Sequence, residues 1–198
     1  MRDNYEYVDP DYVYTDLKTG VLRNLPDITD QNDLLFFEST AVLKRTKELE
    51  KQPMAIRNSD ILLDIHRYLF QDVYLWAGQK RIVEIAKEGK PFFPTAYFDK
   101  GFAYIDTLID EYRKIDSGNK PKLAKSLAVL LDNINYLHPF REGNGRTQRE
   151  FIRVLALEKG YTLNLNPPDN LDIYECYMSG TINGDIEKLA TLILKLLY

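Results

Sequence analysis

Leu123, Leu127, Leu130, Leu131, Ile134 and Leu137 recur at helical spacing and then stop against His138-Pro139. A stripe of this kind predicts a helix with one whole face in the core. Proline disfavours helical geometry in the residue before it, so the chain must turn at His138. Pro121 suits the first turn of this helix, and Gly118 closes the segment before it. Any fold of the chain must therefore wrap other helices around residues 121–137 and present the residues after His138 at that helix's end.

The partners are legible on both sides. Asp30 to about Lys51 reads as a helix capped by Asp30, with Leu34, Phe37, Ala41 and Leu49 on or near one face and Pro53 as its stop. A second helix starts near Ser59-Asp60, where Ile61, Ile65 and Leu69 are spaced by four and Leu62 widens the stripe. His66 lies on it and reads as a packing or partner-bonded histidine. A third, capped by Thr95, runs to about Ser117 with Phe98, Phe102, Ile105, Leu108 and Ile109 inward. After the His138 turn a helix begins between Gly143 and Arg146 and ends at Gly160, with Phe151, Val154, Leu155 and Leu157 as its apolar side. Asn166-Pro167-Pro168 breaks the chain. A short helix from about Asp169 to Met178 and a last one from about Gly184 to Leu197 follow.

The period changes only between the second and third helices. Asp72 to Gly78 reads as a loop packed by Tyr74 and Trp76. Ile82-Val83-Glu84-Ile85, the turn Lys87-Glu88-Gly89-Lys90, and Phe92-Phe93 then predict a β-hairpin. A lone hairpin is marginal in water, so this one must lean on helices or on a partner. Residues 1–27, punctuated by Pro10, Gly20 and Pro26, read as an irregular arm packed on a domain of residues 28–198. Tyr5, Tyr7, Tyr12 and Tyr14 read as packing residues of that arm, with self-modification of a tyrosine hydroxyl as the alternative. The expected architecture is an all-α helical bundle with one inserted hairpin.

Composition narrows the function. At 198 residues the chain suits one domain. A net charge of −4 and a pI near 5.3 are not those of a nucleic-acid binder. No apolar run is long enough to span a membrane, and the polar start Met1-Arg2-Asp3-Asn4-Tyr5 is no signal peptide. The single cysteine, Cys176, allows neither an internal disulfide nor a cysteine metal site. These features lead to the expectation of a cytoplasmic protein.

The turn after the central helix carries the chemistry: His138-Pro139-Phe140-Arg141-Glu142-Gly143-Asn144-Gly145-Arg146-Thr147-Gln148-Arg149. A helix N-terminus offers unpaired N–H groups and a positive dipole end. Glycines there let an anion approach the backbone, so Gly143-Asn144-Gly145 reads as a phosphate cradle. Arg146 and Arg149, three apart, lie on one face, and arginine forks suit phosphate oxygens. Glu142 is placed to hold Mg²⁺, which takes one or two carboxylates together with phosphate oxygens and water. His138 has the right chemistry to take a proton from a hydroxyl. Each feature alone is common: a glycine turn, a solvated arginine face, a structural histidine. It is their density within twelve residues that marks a site.

This stretch resembles in full the signature of the Fic family, His-x-Phe-x-Asp/Glu-Gly-Asn-Gly-Arg-x-x-Arg. Asp72-Val73-Tyr74-Leu75-Trp76-Ala77-Gly78 resembles the family's segment before its hairpin flap, and Gly180-Thr181-Ile182-Asn183-Gly184-Asp185 its C-terminal helix junction. The resemblance implies a Fic-type bundle with a β-hairpin flap, and AMP transfer from ATP to a protein hydroxyl. It implies His138 as general base, Glu142 as Mg²⁺ ligand, and Gly143, Asn144 and Gly145 as phosphate cradle, with the Asn144 amide on the α-phosphoryl. Arg146 and Arg149 would hold the β- and γ-phosphates, and Phe140 would anchor the loop. It further implies a flap over about Ile82 to Phe93 that docks the target segment as an added strand, with Ile85, Lys87 and Phe92 as candidate contacts. Arg153 lies outside the motif and reads as solvated or helix-pairing.

Two details refine this. Relatives that act as kinases carry lysine where this chain has Gly145, so AMP transfer is favoured over phosphorylation. Many relatives carry an inhibitory helix, Ser/Thr-x-x-x-Glu-Gly/Asn, whose glutamate pairs with the second motif arginine. Here Thr46 to Glu50 is followed by Lys51, Thr107 to Glu111 by Tyr112, and Thr181 is followed by Asp185-Ile186, so none matches. The resemblance is thus to toxins restrained by a separate small antitoxin, whose glutamate would reach Arg149. A type II topoisomerase is the target expected by analogy. Transfer of UMP or phosphocholine, or an idle partner-binding module, are the alternatives.

Overall fold

The structure, a computed structural model, describes residues 5–9, 12–87, 89–165 and 183–198, with the backbone alone for 5–8. The predicted break at 166–168, the short helix at 169–178, residues 180–182 of the junction and Glu88 of the hairpin turn lie outside the described residues. Six α-helices are described: α1 Gln31–Lys51, α2 Ile61–Phe70, α3 Phe98–Arg113, α4 Lys120–Leu137, α5 Asn144–Glu158 and α6 Ile186–Leu196. Three short strands accompany them: β1 Tyr5–Val8, β2 Glu84–Lys87 and β3 Lys90–Pro91.

Helix α4 is the axis of the bundle and packs against α3, α5 and α6, while α2 bridges α1 and α5. All six residues of its stripe are buried. Asn119 caps it by accepting from the Lys122 N–H at 3.2 Å. At its other end His138 takes a left-handed conformation (φ 43°) and still donates its N–H to the Ile134 carbonyl. Helix α1 is capped as expected, Asp30 accepting from the N–H groups of Asn32 and Asp33 at 2.8 and 3.0 Å. Asp185 does the same for α6 through Lys188, at 3.0 Å. No helix among the described residues is long and apolar enough to cross a membrane.

Several expectations are corrected. In α1 the fully buried line is Leu34, Glu38, Val42 and Leu49, and Phe37 and Ala41 pack partly buried near that face, as expected; what was not expected is an acid, Glu38, on it. Thr95 caps no helix. It opens a 3₁₀ turn, Thr95–Tyr97, and gives its N–H and hydroxyl to Glu84 Oε1 at 2.9 and 2.7 Å, which ties the flap base to α3. Helix α3 then stops at Arg113, short of Ser117. Of the two readings given for Arg153, solvated or helix-pairing, the second holds: it forks onto Glu150 at 2.7 Å twice and reaches the Leu49 carbonyl at the end of α1, at 3.2 Å.

The arm is also more regular than expected. β1 pairs antiparallel with β2 in the register Tyr5↔Lys87, Glu6↔Ala86, Tyr7↔Ile85 and Val8↔Glu84, and β2 pairs with β3. The hairpin thus supplies the centre and one edge of a three-stranded sheet in the order β1-β2-β3. Backbone hydrogen bonding explains the change, since an open strand edge leaves a row of donors and acceptors that the nearest extended segment will satisfy. Farther along the arm Tyr14 packs with Val83 and Ile85 in a small satellite core. Its hydroxyl accepts from the Ile82 N–H at 3.2 Å.

Candidate active site

The motif loop is held in shape by its own side chains. Phe140 is fully buried and stacks on His66 with ring centroids 3.8 Å apart. Asn144 closes the loop by accepting from the Phe140 N–H at 3.0 Å and donating to the Phe140 carbonyl at 2.7 Å. In this structure its amide braces the loop. Thr147 donates its hydroxyl to the Gly143 carbonyl at 3.0 Å. Gly143 is the left-handed N-cap of α5 (φ 80°), and a Cβ there would collide with the Phe70 ring. Close packing as well as anion access therefore requires this glycine.

His66 proves to be the partner-bonded histidine. The Gly78 N–H donates to Nδ1 at 2.8 Å, so Nε2 carries the proton and donates to the Glu142 carbonyl at 3.0 Å. Burial lowers its pKa to about 3, which keeps it neutral and this tautomer locked. The segment before the flap is thereby pinned to the backbone of the loop.

His138 has the opposite tautomer. Its Nδ1 faces the Asn135 carbonyl at 3.1 Å and must carry the proton, leaving Nε2 as the acceptor. Burial, with Asn135 opposing and the Arg81 and Lys87 charges assisting, lowers its pKa to about 3. The ring is therefore an unprotonated base at neutral pH. It is only 5% exposed and lies under Phe92, ring centroids 3.8 Å apart.

Arg81 joins loop and flap, and sequence reasoning passed over it. Its side chain is fully buried; Nε donates to the His138 carbonyl at 2.8 Å, and its terminal nitrogens to the carbonyls of Val83 at 2.6 Å and Phe93 at 2.7 Å. Its own N–H donates to the Pro139 carbonyl at 2.7 Å. Nothing in its spacing distinguishes it from an exposed arginine before a hairpin. Only the four surrounding carbonyls reveal the role.

The charged groups at the start of α5 are arranged around its first turn. Arg146 lies over the Phe70 ring, 4.6 Å from the centroid. It pairs with Glu38 at 2.6 Å and approaches Glu142 at 3.5 Å. Glu142 accepts from the Gly143 N–H at 2.8 Å. The Arg149 guanidinium folds back over the helix start, 3.1 Å from where a Cβ on Gly145 would stand. Any side chain at 145 would push that guanidinium. Glu38 was also missed, although a signal existed: an acid four residues from both Leu34 and Val42 sits on a core line.

Mg²⁺ fits a site of this kind. Among the described residues no cluster of three or more acidic, histidine or cysteine side chains forms a cage. A single half-exposed carboxylate, Glu142, stands at an anion cradle. That donor set suits an ion that completes its shell with phosphate oxygens and water. The candidate flap contacts are dispersed. Phe92 faces the base; Lys87 pairs with Tyr5 and Lys90 on either side. Ile85, expected as a docking contact, is turned inward at 1% exposure and packs with Tyr14 and Val83.

The sequence pattern of the Fic/DOC family matches residues 57–156. The probable protein adenylyltransferase y4lH of Sinorhizobium fredii is 36% identical over 190 residues, covering 90% of this chain and 92% of that protein. Protein adenylyltransferase VbhT of Bartonella schoenbuchensis is 36% identical over 152 residues, covering 76% of this chain; the chain spans only 32% of VbhT. In three dimensions the chain is similar to the BepC protein of Bartonella tribocorum, solved with bound AMPPNP, with a TM-score of 0.82 at 20% identity. The match covers 94% of this chain and 97% of that one.

Proposed function

Because the chain belongs to the Fic/DOC family, we propose that it is a protein adenylyltransferase, moving AMP from ATP to a serine, threonine or tyrosine hydroxyl of a target protein. The observation that carries this reading is the tautomer of His138: a neutral ring with Nδ1–H on the Asn135 carbonyl presents Nε2 as a base beside a glycine-opened helix start. The names of the relatives y4lH and VbhT support it.

In the reaction the acceptor hydroxyl gives its proton to His138 Nε2 as its oxygen attacks the α-phosphorus. The bond from that phosphorus to the bridging oxygen of the β-phosphate breaks, and pyrophosphate leaves. The N–H groups at the start of α5 and the guanidinium groups of Arg146 and Arg149 stabilise the charge that grows on the phosphates. Glu142 is the residue that would hold Mg²⁺, which when bound neutralises phosphate charge. Gly145 leaves room for Arg149 to reach the site.

The acceptor segment docks by strand addition on the flap. The outer edge of β2 is taken by β1, and β3 is short and ends in Pro91, which lacks an N–H. The target strand therefore displaces Tyr5–Val8, and Phe92 must leave His138 for the hydroxyl to enter. The setting is the cytoplasm, the compartment of ATP and free Mg²⁺. The chain acts as a toxin held by a small antitoxin whose helical glutamate pairs with Arg149, and Leu35, Phe36 and Leu43, exposed on α1, offer apolar surface to such a partner. A type II topoisomerase is the proposed target.

The test is incubation of the chain with α-labelled ATP in lysate, followed by mass analysis of the labelled band. A mass increase of one AMP, lost in His138→Ala, is expected. A UMP or phosphocholine increment, or a growth effect that survives His138→Ala, would overturn the reading.

A further inference from the structure

Glu38 stands apart from the rest of the core. It occupies the buried line of α1 between Leu34 and Val42, at 5% exposure, where an apolar side chain would pack without penalty. A buried carboxylate is costly unless it is fully paired. Both of its oxygens are engaged. Oε1 holds Arg146 at 2.6 Å, and Oε2 accepts the hydroxyl of Tyr74. Burial and the charge of Glu38 push the Tyr74 phenol up, so it stays a neutral donor. Tyr74 is itself fixed, stacked on Trp76 at 4.2 Å, and the Arg146 guanidinium is backed by the Phe70 ring.

We propose that Glu38 is a positioning residue for nucleotide triphosphate recognition: through its ion pair, braced by Tyr74, it fixes the Arg146 guanidinium at the start of α5 before ATP arrives. The inference rests on the adenylyltransferase reading of the site. An arginine on the first turn of a helix samples many rotamers. One held by a buried carboxylate and an aromatic face has given up that freedom already, so less is lost on binding. The same arginine approaches Glu142 at 3.5 Å, a longer and more exposed contact. Glu38 thus keeps Arg146 in place when Glu142 turns to its own partner. The guanidinium has five N–H donors, and the pair with Glu38 engages NH2.

The role predicts selectivity for the outer phosphates. ATP and AMP share the adenosine and the α-phosphate, and only ATP has the groups assigned to Arg146. In calorimetric titrations with Mg²⁺, Glu38→Gln is expected to weaken ATP binding by about tenfold, the loss of one interaction to a charged group. AMP binding should change by less than about twofold. Arg146→Ala should weaken ATP similarly, and adding Glu38→Gln to it should have no further effect, because the two substitutions remove one interaction. Tyr74→Phe removes only the brace and should give a smaller loss confined to ATP. It serves as the decisive variant if Glu38→Gln does not fold.

Equal weakening of ATP and AMP, full additivity with Arg146→Ala, or tighter ATP binding in Glu38→Gln would each overturn the proposal. The last would make Glu38 a restraint on Arg146. A wild-type chain that binds neither nucleotide would instead strike the adenylyltransferase reading, and this inference with it.

Discussion

The ring of Phe92 lies flat on the imidazole of His138, 3.8 Å between centroids and 21° between planes. The flap therefore covers the base directly, and the burial that lowers the pKa of His138 to about 3 depends on it. Phe92→Ala is expected to let water reach the ring. Its pKa should climb back toward the ordinary value of 6.5, read from the imidazole resonances in a pH titration by NMR. A His138 that still fails to titrate above about pH 4 in that variant would show that other groups keep it dry.

His66 and His138 together make the fold acid-sensitive. Both have folded pKa values lowered to about 3 from 6.5. As pH falls below 6.5 the unfolded chain takes up protons that the folded chain does not, so stability is full above that value and is lost progressively down to about 3. Each histidine contributes a slope approaching about 1.4 kcal/mol per pH unit inside the window. Urea unfolding near neutral pH and about one unit below 6.5 measures it, and His66→Gln should remove close to half of the difference. A stability unchanged between the two conditions would refute the burial argument.

Gly143 and Gly145 should separate folding from binding. Gly143→Ala puts a methyl into Phe70 at a positive φ and is expected to destabilise by about 2 kcal/mol or more. Gly145→Ala meets only the tip of the flexible Arg149 side chain. It should melt like the wild type and bind ATP more weakly. Thermal melts alongside nucleotide titrations check both. Equal melting of the two variants would count against the Phe70 contact.

Arg81 anchors the flap through the carbonyls of His138, Val83 and Phe93. Lysine keeps the charge but not the planar fork, so Arg81→Lys is expected to cost about 3 kcal/mol of stability. Faster amide hydrogen exchange should follow in β2 and β3, with α4 little changed. Exchange that rises uniformly would make Arg81 a general core residue.

The pairing of Tyr7 with Ile85 and Tyr5 with Lys87 gives the arm a measurable effect. Deleting residues 1–8 should expose the β2 edge, speed exchange of its amides, and raise the rate of target labelling. Peptide mapping of the labelled full chain would report modification of Tyr5 or Tyr7. A deletion that slows labelling would assign the arm to support of the flap.

Much of this was written in local chemistry. The α4 stripe, the Asp30 cap and the turn at His138-Pro139 are short-range features, governed by spacing and backbone sterics, and they emerge where the residues predict them. The motif is likewise contiguous, so its glycines, arginines and carboxylate lie within eight residues of chain. What only the tertiary structure decided are contacts between residues far apart in the chain. Glu38 reaches Arg146 across 108 positions, Arg81 reaches the His138 carbonyl across 57, and β1 adds to β2 across about 80. Thr95 opens a 3₁₀ turn in place of its expected cap, and its hydroxyl donates to Glu84 in the hairpin. Periodicity sees which face is buried; it does not see what that face meets. The state of His138, neutral with Nε2 as acceptor, depends on such meetings: on Phe92 above it and on the Asn135 carbonyl beside it.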